Sequence, residues 1–450
     1  MKWVALALII LAAPAIAAWL RSNPRQAPFV WALLTFLPFV QGPWHLDVAP
    51  FSTPVWSGYV KGWEIGLIDA VALGVLLGTR GRWPKMVLVL PFAAYLATVL
   101  LAVFQAKFPN LALSYPVQLM RVGLVFLAVA RVAAMERGER ALLIGLFLGL
   151  FVQAGYALWA RANGALQTGG SLGHQNLLGF LSHMALMPAF ALFLSGKMPR
   201  WALLGVGAGL TVVILTASRA TIAFAGIGLV VTLLLSLAAR FTPRKAAIGV
   251  AGVFLLIASL PLASSTLERR FAAQNTTFLT EDQERIAFER AAHAMIDDNP
   301  LGVGPNHYVF VANTEGYSER AGVSWGFGSR ATQVHNTYLL VTAETGLPGI
   351  VALVVLLGAA IFRALSGAFR FRRQAGSEVL IGLGAGLVAM VAHGFFEWMF
   401  VVAPTQYVFA GSLGLIAGMR SRFLLQQKGS ANRRKVKDAF APARQSYGIA

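Results

Sequence analysis

Apolar runs long enough to cross a lipid bilayer recur almost from one end of the chain to the other, broken by short polar connections and by a single long one. A hydrocarbon core needs about 20 apolar residues per helical span. By that measure the runs predict spans near 3–20, 28–42, 63–79, 86–104, 117–135, 141–160, 176–195, 201–218, 220–239, 246–264, 337–362, 379–400 and 402–419. The second is short and contains Pro38, so it also fits a re-entrant or interfacial segment, which leaves roughly 12 or 13 spans. Met1 to Ala17 has the layout of a signal peptide, with Lys2, an apolar run and Ala15-Ile16-Ala17, but the many spans that follow favour a first membrane helix. The expected fold is an all-α polytopic membrane protein. Residues 1–264 form N-terminal transmembrane helices, 265–336 a large polar loop, 337–420 C-terminal transmembrane helices and 421–450 a basic tail.

Within the long connection, Thr280 and Gln283 have capping-box spacing, and Phe288, Ala291, Ala292 and Met295 recur at helical intervals. The pattern predicts an amphipathic helix over 281–297, ended by Asn299-Pro300 and followed by a tight turn at Leu301-Gly302-Val303-Gly304-Pro305. No repeat of fixed period and no inverted repeat is evident.

Composition agrees with a lipid solvent: 57% of the 450 residues are hydrophobic and only 12% charged, against about 25% charged in soluble domains. The net charge of +19 raises nucleic acid as a partner, but the basic residues sit in alternate connections: Arg80, Arg82 and Lys85; Arg131, Arg137 and Arg140; Lys197 and Arg200; Arg240, Arg244 and Lys245; Arg363, Arg370, Arg372 and Arg373. The positive-inside rule makes these cytoplasmic, together with a tail carrying Arg433, Arg434, Lys435 and Lys437 that suits anionic headgroups, so no nucleic acid is needed. The opposite connections, around 43–62, 105–116, 161–175 and 265–335, then face outward. The chain has no Cys, which closes disulfide, thiol and Cys-ligated metal chemistry. None of His174, His293, His307, His335 and His393 lies at close ligand spacing, so no metal site is expected, and Asn275-Thr276-Thr277 is a chance sequon match.

Three features bear on chemistry. Arg219, in Thr216-Ala217-Ser218-Arg219, falls between two apolar spans with almost no loop; its guanidinium fork suits a diphosphate, and it equally suits snorkelling at a hairpin. Arg285 lies on the loop helix among Glu281, Glu284 and Glu289, where a solvated ion pair is the plainer reading. His335-Asn336 stands where the long loop re-enters the membrane; a neutral imidazole there is placed to act as a general base, or to line a helix start. Gly173-His174-Gln175-Asn176 opens a span on the outer side and suits sugar or phosphate contact or a helix cap. Arg121, near the outer end of its span, is a second diphosphate candidate. Asp69, Glu344, His393 and Glu397 read as groups that pair within the bundle.

Pro300-Leu301-Gly302-Val303-Gly304-Pro305-Asn306, then His335-Asn336-Thr337-Tyr338 and Glu344-Thr345-Gly346-Leu347-Pro348-Gly349, closely resemble the signature region of the O-antigen ligase and polymerase family, whose arginines fall where Ser218-Arg219 and Arg285 stand. The resemblance covers about residues 170–400 at the level of motifs and the whole chain in topology. It implies inverting glycosyl transfer from undecaprenyl diphosphate at the periplasmic face of a bacterial inner membrane, without metal or cofactor. It implies His335, Arg219 and Arg285 as catalytic residues, with Arg121, His174, Asn176, Asn336 and Tyr338 as substrate contacts. The partners implied are the lipid-linked glycan donor, an acceptor such as lipid A core, another glycan or a protein, and membrane lipid. One large outward loop resembles a ligase more than a polymerase or a protein O-oligosaccharyltransferase. A lipid-linked glycan flippase is the non-enzymatic alternative, and would be expected to spread its charges through several spans.

Overall fold

The computed structural model describes residues 2–80, 83–252, 254 and 283–439. The Thr280–Gln283 capping box, the sequon, most of the 246–264 span and the last eleven residues lie outside them. Among the described residues, eight helices are long and apolar enough to cross a membrane, and Ala27–Phe39, Leu67–Gly78, Val89–Gln105 and Ser377–His393 are shorter apolar helices. Leu8, Phe29, Leu101, Ile214, Leu234, Val354 and Phe362 point outward and stay exposed, which is what helices dissolved in hydrocarbon require. Between helices small residues allow close approach. A Cβ on Gly78 would meet the Ala17 carbonyl at 2.7 Å, and one on Gly418 the Ala130 carbonyl at 2.3 Å. Helix Lys2–Ser22 is thus packed into the bundle along Leu67–Gly78.

Several boundaries differ from the expectation, among them the last helix, which runs from Ala403 to Ala439 and so takes in most of the expected basic tail. Residues 63–66 do not begin a span: Gly62–Gly66 pairs antiparallel with Asp47–Ser52, a hairpin the hydropathy pattern does not distinguish from a helix end. The Ser377–His393 helix stops seven residues short of 400, because Gly394-Phe395-Phe396-Glu397 turns its backbone towards other elements. Helix Thr337–Arg370 runs longer than expected but breaks at Gly346, with φ 67°.

The basic connections gather at one end. There Arg131 donates to the Thr79 carbonyl at 2.6 Å, Arg244 to the Phe193 carbonyl, Arg420 to the Arg363 carbonyl, and Arg422 pairs with Glu139. The remaining connections meet at the other end: Trp56 Nε1 donates to the Asn306 carbonyl, Gln167 Nε2 to the Ala217 carbonyl, and Lys2 Nζ to the Pro50 carbonyl. The first helix therefore starts at this second end while Arg420 of the last lies at the basic end, so the chain crosses between the two an odd number of times.

Candidate functional site

At the end opposite the basic connections, three helices begin with capping side chains taken from the motifs. His174 Nδ1 accepts from the Asn176 amide at 3.2 Å and opens Gln175–Ser195; Ser218 Oγ accepts from the Thr221 amide and opens Arg219–Ala239; Asn336 Oδ1 accepts from the Tyr338 and Leu339 amides at 2.9 and 3.1 Å and opens Thr337–Arg370. Helix N-termini carry partial positive charge and favour anions. Burial holds the His174 imidazole below its usual pKa, against the raising effect of Glu397 and with the lowering effect of His335. It is a neutral acceptor, as its capping bond requires.

The residue that gathers this end together is Glu397. Its carboxyl is buried; Oε1 accepts from Asn176 Nδ2 at 2.5 Å and lies 3.5 Å from Arg285, and Oε2 lies 3.3 Å from His335 Nδ1. Arg285 also reaches the Phe396 carbonyl at 3.5 Å. Thr337 clamps the same stretch, Oγ1 donating to the Glu397 carbonyl at 2.6 Å and its amide to the Gly394 carbonyl at 2.8 Å. A carboxylate only accepts, so His335 Nδ1 is the donor in this contact, and in the neutral ring that leaves the lone pair on Nε2. The half-buried ring of His335 rests beside Phe288 of the 283–298 helix. Arg219 is exposed at the first position of its helix, one turn before Phe224, whose ring packs 5.5 Å from Phe396. The arrangement sets the Glu397 carboxyl within 3.5 Å of both the Arg285 guanidinium and the His335 ring, with Arg219 at the same end.

The glycine-rich turn serves the scaffold. Val303 and Gly304 donate to the Ala343 and Glu344 carbonyls, and Leu347 donates to the Pro300 carbonyl, all at 2.9–3.0 Å, where the helix is broken at Gly346. Gly302 and Gly346 both have positive φ, and a Cβ on either would fall about 2.5 Å from the other strand of this contact, at the Glu344 carbonyl or Leu301. Asn306 exchanges two bonds with the Val60 backbone, at 2.9 and 2.8 Å. His307 is fully buried. Its Nδ1 bonds the Pro305 carbonyl at 3.0 Å and Nε2 accepts from the Phe108 amide at 3.3 Å, and burial lowers its pKa.

Of the residues singled out in the sequence, His335, Arg285, His174 and Asn176 surround Glu397, and Arg219 lies at the same end. Three are otherwise engaged. Asn336 uses its oxygen as a helix cap. Tyr338 donates its hydroxyl to the Val391 carbonyl at 2.6 Å. Arg121 is held by Asp69 at 2.9 Å and Glu64 at 3.9 Å, beneath the hairpin, without a contact to the Glu397 group. Glu397 itself was read as an internal pairing group; the signal for more was an acidic residue at the outer end of a span, which is costly unless used. His393, read from the sequence as a group that pairs within the bundle, bonds the fully buried ring of His183 at 3.1 Å, a partner that no motif marks.

Residues 204–354 match the family described as O-antigen ligase, which supports the resemblance read from the signature region. No curated protein matches the chain.

Proposed function

We propose that this membrane protein is a glycosyltransferase of the O-antigen ligase type, moving a glycan from undecaprenyl diphosphate to an acceptor hydroxyl, with lipid A core as the favoured acceptor, at the periplasmic face of the inner membrane. The observation that carries the reading is the Glu397–His335 pair beside Arg285. His335 Nε2 takes the proton as the acceptor hydroxyl oxygen attacks the anomeric carbon from the face opposite the diphosphate. The carbon–oxygen bond to the diphosphate breaks with its electron pair leaving on oxygen. Arg285 and Arg219 neutralise that charge, aided by the helix N-termini, while Glu397 stabilises the imidazolium. No metal or cofactor takes part in this scheme. Asn176 holds the carboxylate in place and His174 lines the same side. The placement of the basic connections at the far end agrees with a periplasmic site. The gathering of polar groups at one end, with a large loop over them, favours transfer over flipping.

The test uses the full chain in nanodiscs with a glycan–undecaprenyl diphosphate donor, measuring donor binding and single-turnover transfer separately. His335→Ala should abolish transfer and leave donor binding nearly intact. Arg219→Ala and Arg285→Ala should weaken both, with Lys restoring only part because it lacks the bidentate fork. Near-normal transfer by His335→Ala would refute the base, and two Arg→Ala variants that bind and transfer like the parent would refute the diphosphate clamp.

A further inference from the structure

We propose that Glu344, buried nine residues beyond His335, is a positioning residue that locks the helix carrying Arg285 to the helix that follows His335; the proposal rests on the function argued above. The two residues come from different elements. Arg285 belongs to the 283–298 helix, which runs straight into the Pro300–Asn306 turn, and His335 precedes the Thr337–Arg370 helix. Something must fix one element relative to the other for the two side chains to share Glu397.

Glu344 is placed to do this. It accepts with both oxygens: Oε1 from the Tyr308 amide at 3.0 Å and Oε2 from the Tyr59 hydroxyl at 2.6 Å. Its own carbonyl accepts from Gly304 at 2.9 Å. One residue therefore ties the bent helix, the turn after the Arg285 helix and the connection between the two strands of the hairpin. The tie is continued on both sides. Tyr308 donates its hydroxyl to the Phe288 carbonyl, in the middle of the Arg285 helix, at 3.2 Å. The ring of Tyr59 stands edge-on to Tyr115, whose hydroxyl bonds Tyr95 and Gln406 of the bundle. Thr337 anchors the other end of the same short helical piece to the Glu397 backbone. A buried carboxyl with each oxygen directed at a different element has the arrangement of a latch, and its removal leaves a buried amide and a buried hydroxyl unpaired.

The chain has no native Cys, so spin labels can be placed at Arg290→Cys and Val351→Cys, both exposed, without removing other thiols. Their distance distribution in nanodiscs needs no substrate. The Glu344→Ala, Glu344→Gln and Tyr59→Phe variants should broaden or shift it. The same variants should lower the single-turnover rate by about tenfold or more, with donor affinity little changed. Tyr59→Phe keeps the ring and so guards against misfolding as the cause. In the double variant Glu344→Gln/Tyr59→Phe the loss should not exceed that of the worse single change, because both break one interaction. An unchanged distance distribution overturns the latch, and so does a changed distribution with parental turnover. If the parent itself transfers no glycan, the proposed function fails, and the label distances alone decide whether Glu344 holds the two helices.

Discussion

Replacing Glu397 by Gln separates the roles of the two groups it touches. The amide keeps the size of the carboxyl and one acceptor but removes its charge, and the site loses its partner for an imidazolium. A hydrogen bond to a charged group contributes about 1.5–3 kcal/mol, so turnover should fall about 10- to 150-fold. Donor binding should move the other way. Arg285 lies 3.5 Å from Glu397 with its side chain 39% exposed, an ion pair that solvent screens to about 1 kcal/mol or less. Releasing it frees the guanidinium from its carboxylate for the proposed diphosphate, so affinity should hold or tighten by up to about fivefold. The assay is single-turnover transfer with labelled donor in nanodiscs, alongside equilibrium donor binding at low salt. A variant that binds donor more weakly in step with its loss of rate, as Arg285→Ala should, would refute this division of labour, as would a parental rate.

Glu315→Cys and Lys428→Cys lie at opposite ends of the bundle, and in intact spheroplasts an impermeant thiol reagent should label the first and spare the second; the reverse result would invert the topology. Transfer should persist in excess EDTA, and activity that is lost and then restored by magnesium or manganese would overturn the metal-free scheme. His307 has a folded pKa lowered by burial, so the unfolded chain binds its proton more readily. Its contribution is then full above the unfolded pKa of about 6.5 and is lost as pH falls below it. Hydrogen-exchange protection of the 105–113 segment should therefore drop on acidification from pH 7.5 to 5, and less so in His307→Gln; equal losses in the two would exclude His307 as the cause.

Much of this architecture can be read from the chain because bilayer solvation acts on simple averages. A run of apolar residues must be helical when no water can satisfy its backbone, and Arg and Lys in alternate connections sort the two ends. Helix starts are equally local: Ser218 and Asn336 cap the residues immediately after them. The hairpin at Asp47–Gly66 was missed because Trp63, Ile65 and their neighbours are apolar enough to continue a span, and their pairing partner lies in another segment. Glu397 lies 62 residues from His335 and 112 from Arg285, so no motif window contains the three. Its place beside His335 depends on the helix stopping at His393, where Thr337 and Arg285 draw the Gly394 and Phe396 carbonyls away from the helix. The Gly-Val-Gly-Pro turn was legible as a signature, but its physical purpose, docking against a helix broken at Gly346, needs three dimensions.

The break at Gly346 leaves only the helical piece Thr337–Thr345, nine residues, between His335-Asn336 and the kink. A helix of that length does not persist alone in water, where about 12–15 residues are marginal. Of the described contacts of the His335 ring, that to Phe288 would remain in a fragment ending at residue 336, while that to Glu397 would be lost. On the proposed function, the reacting end is not a module carried by a membrane anchor, because the anchor itself holds His335 and Glu397 in place. On that reading, a compound wedged between the helices below would silence transfer without touching Glu397, His335 or Arg285.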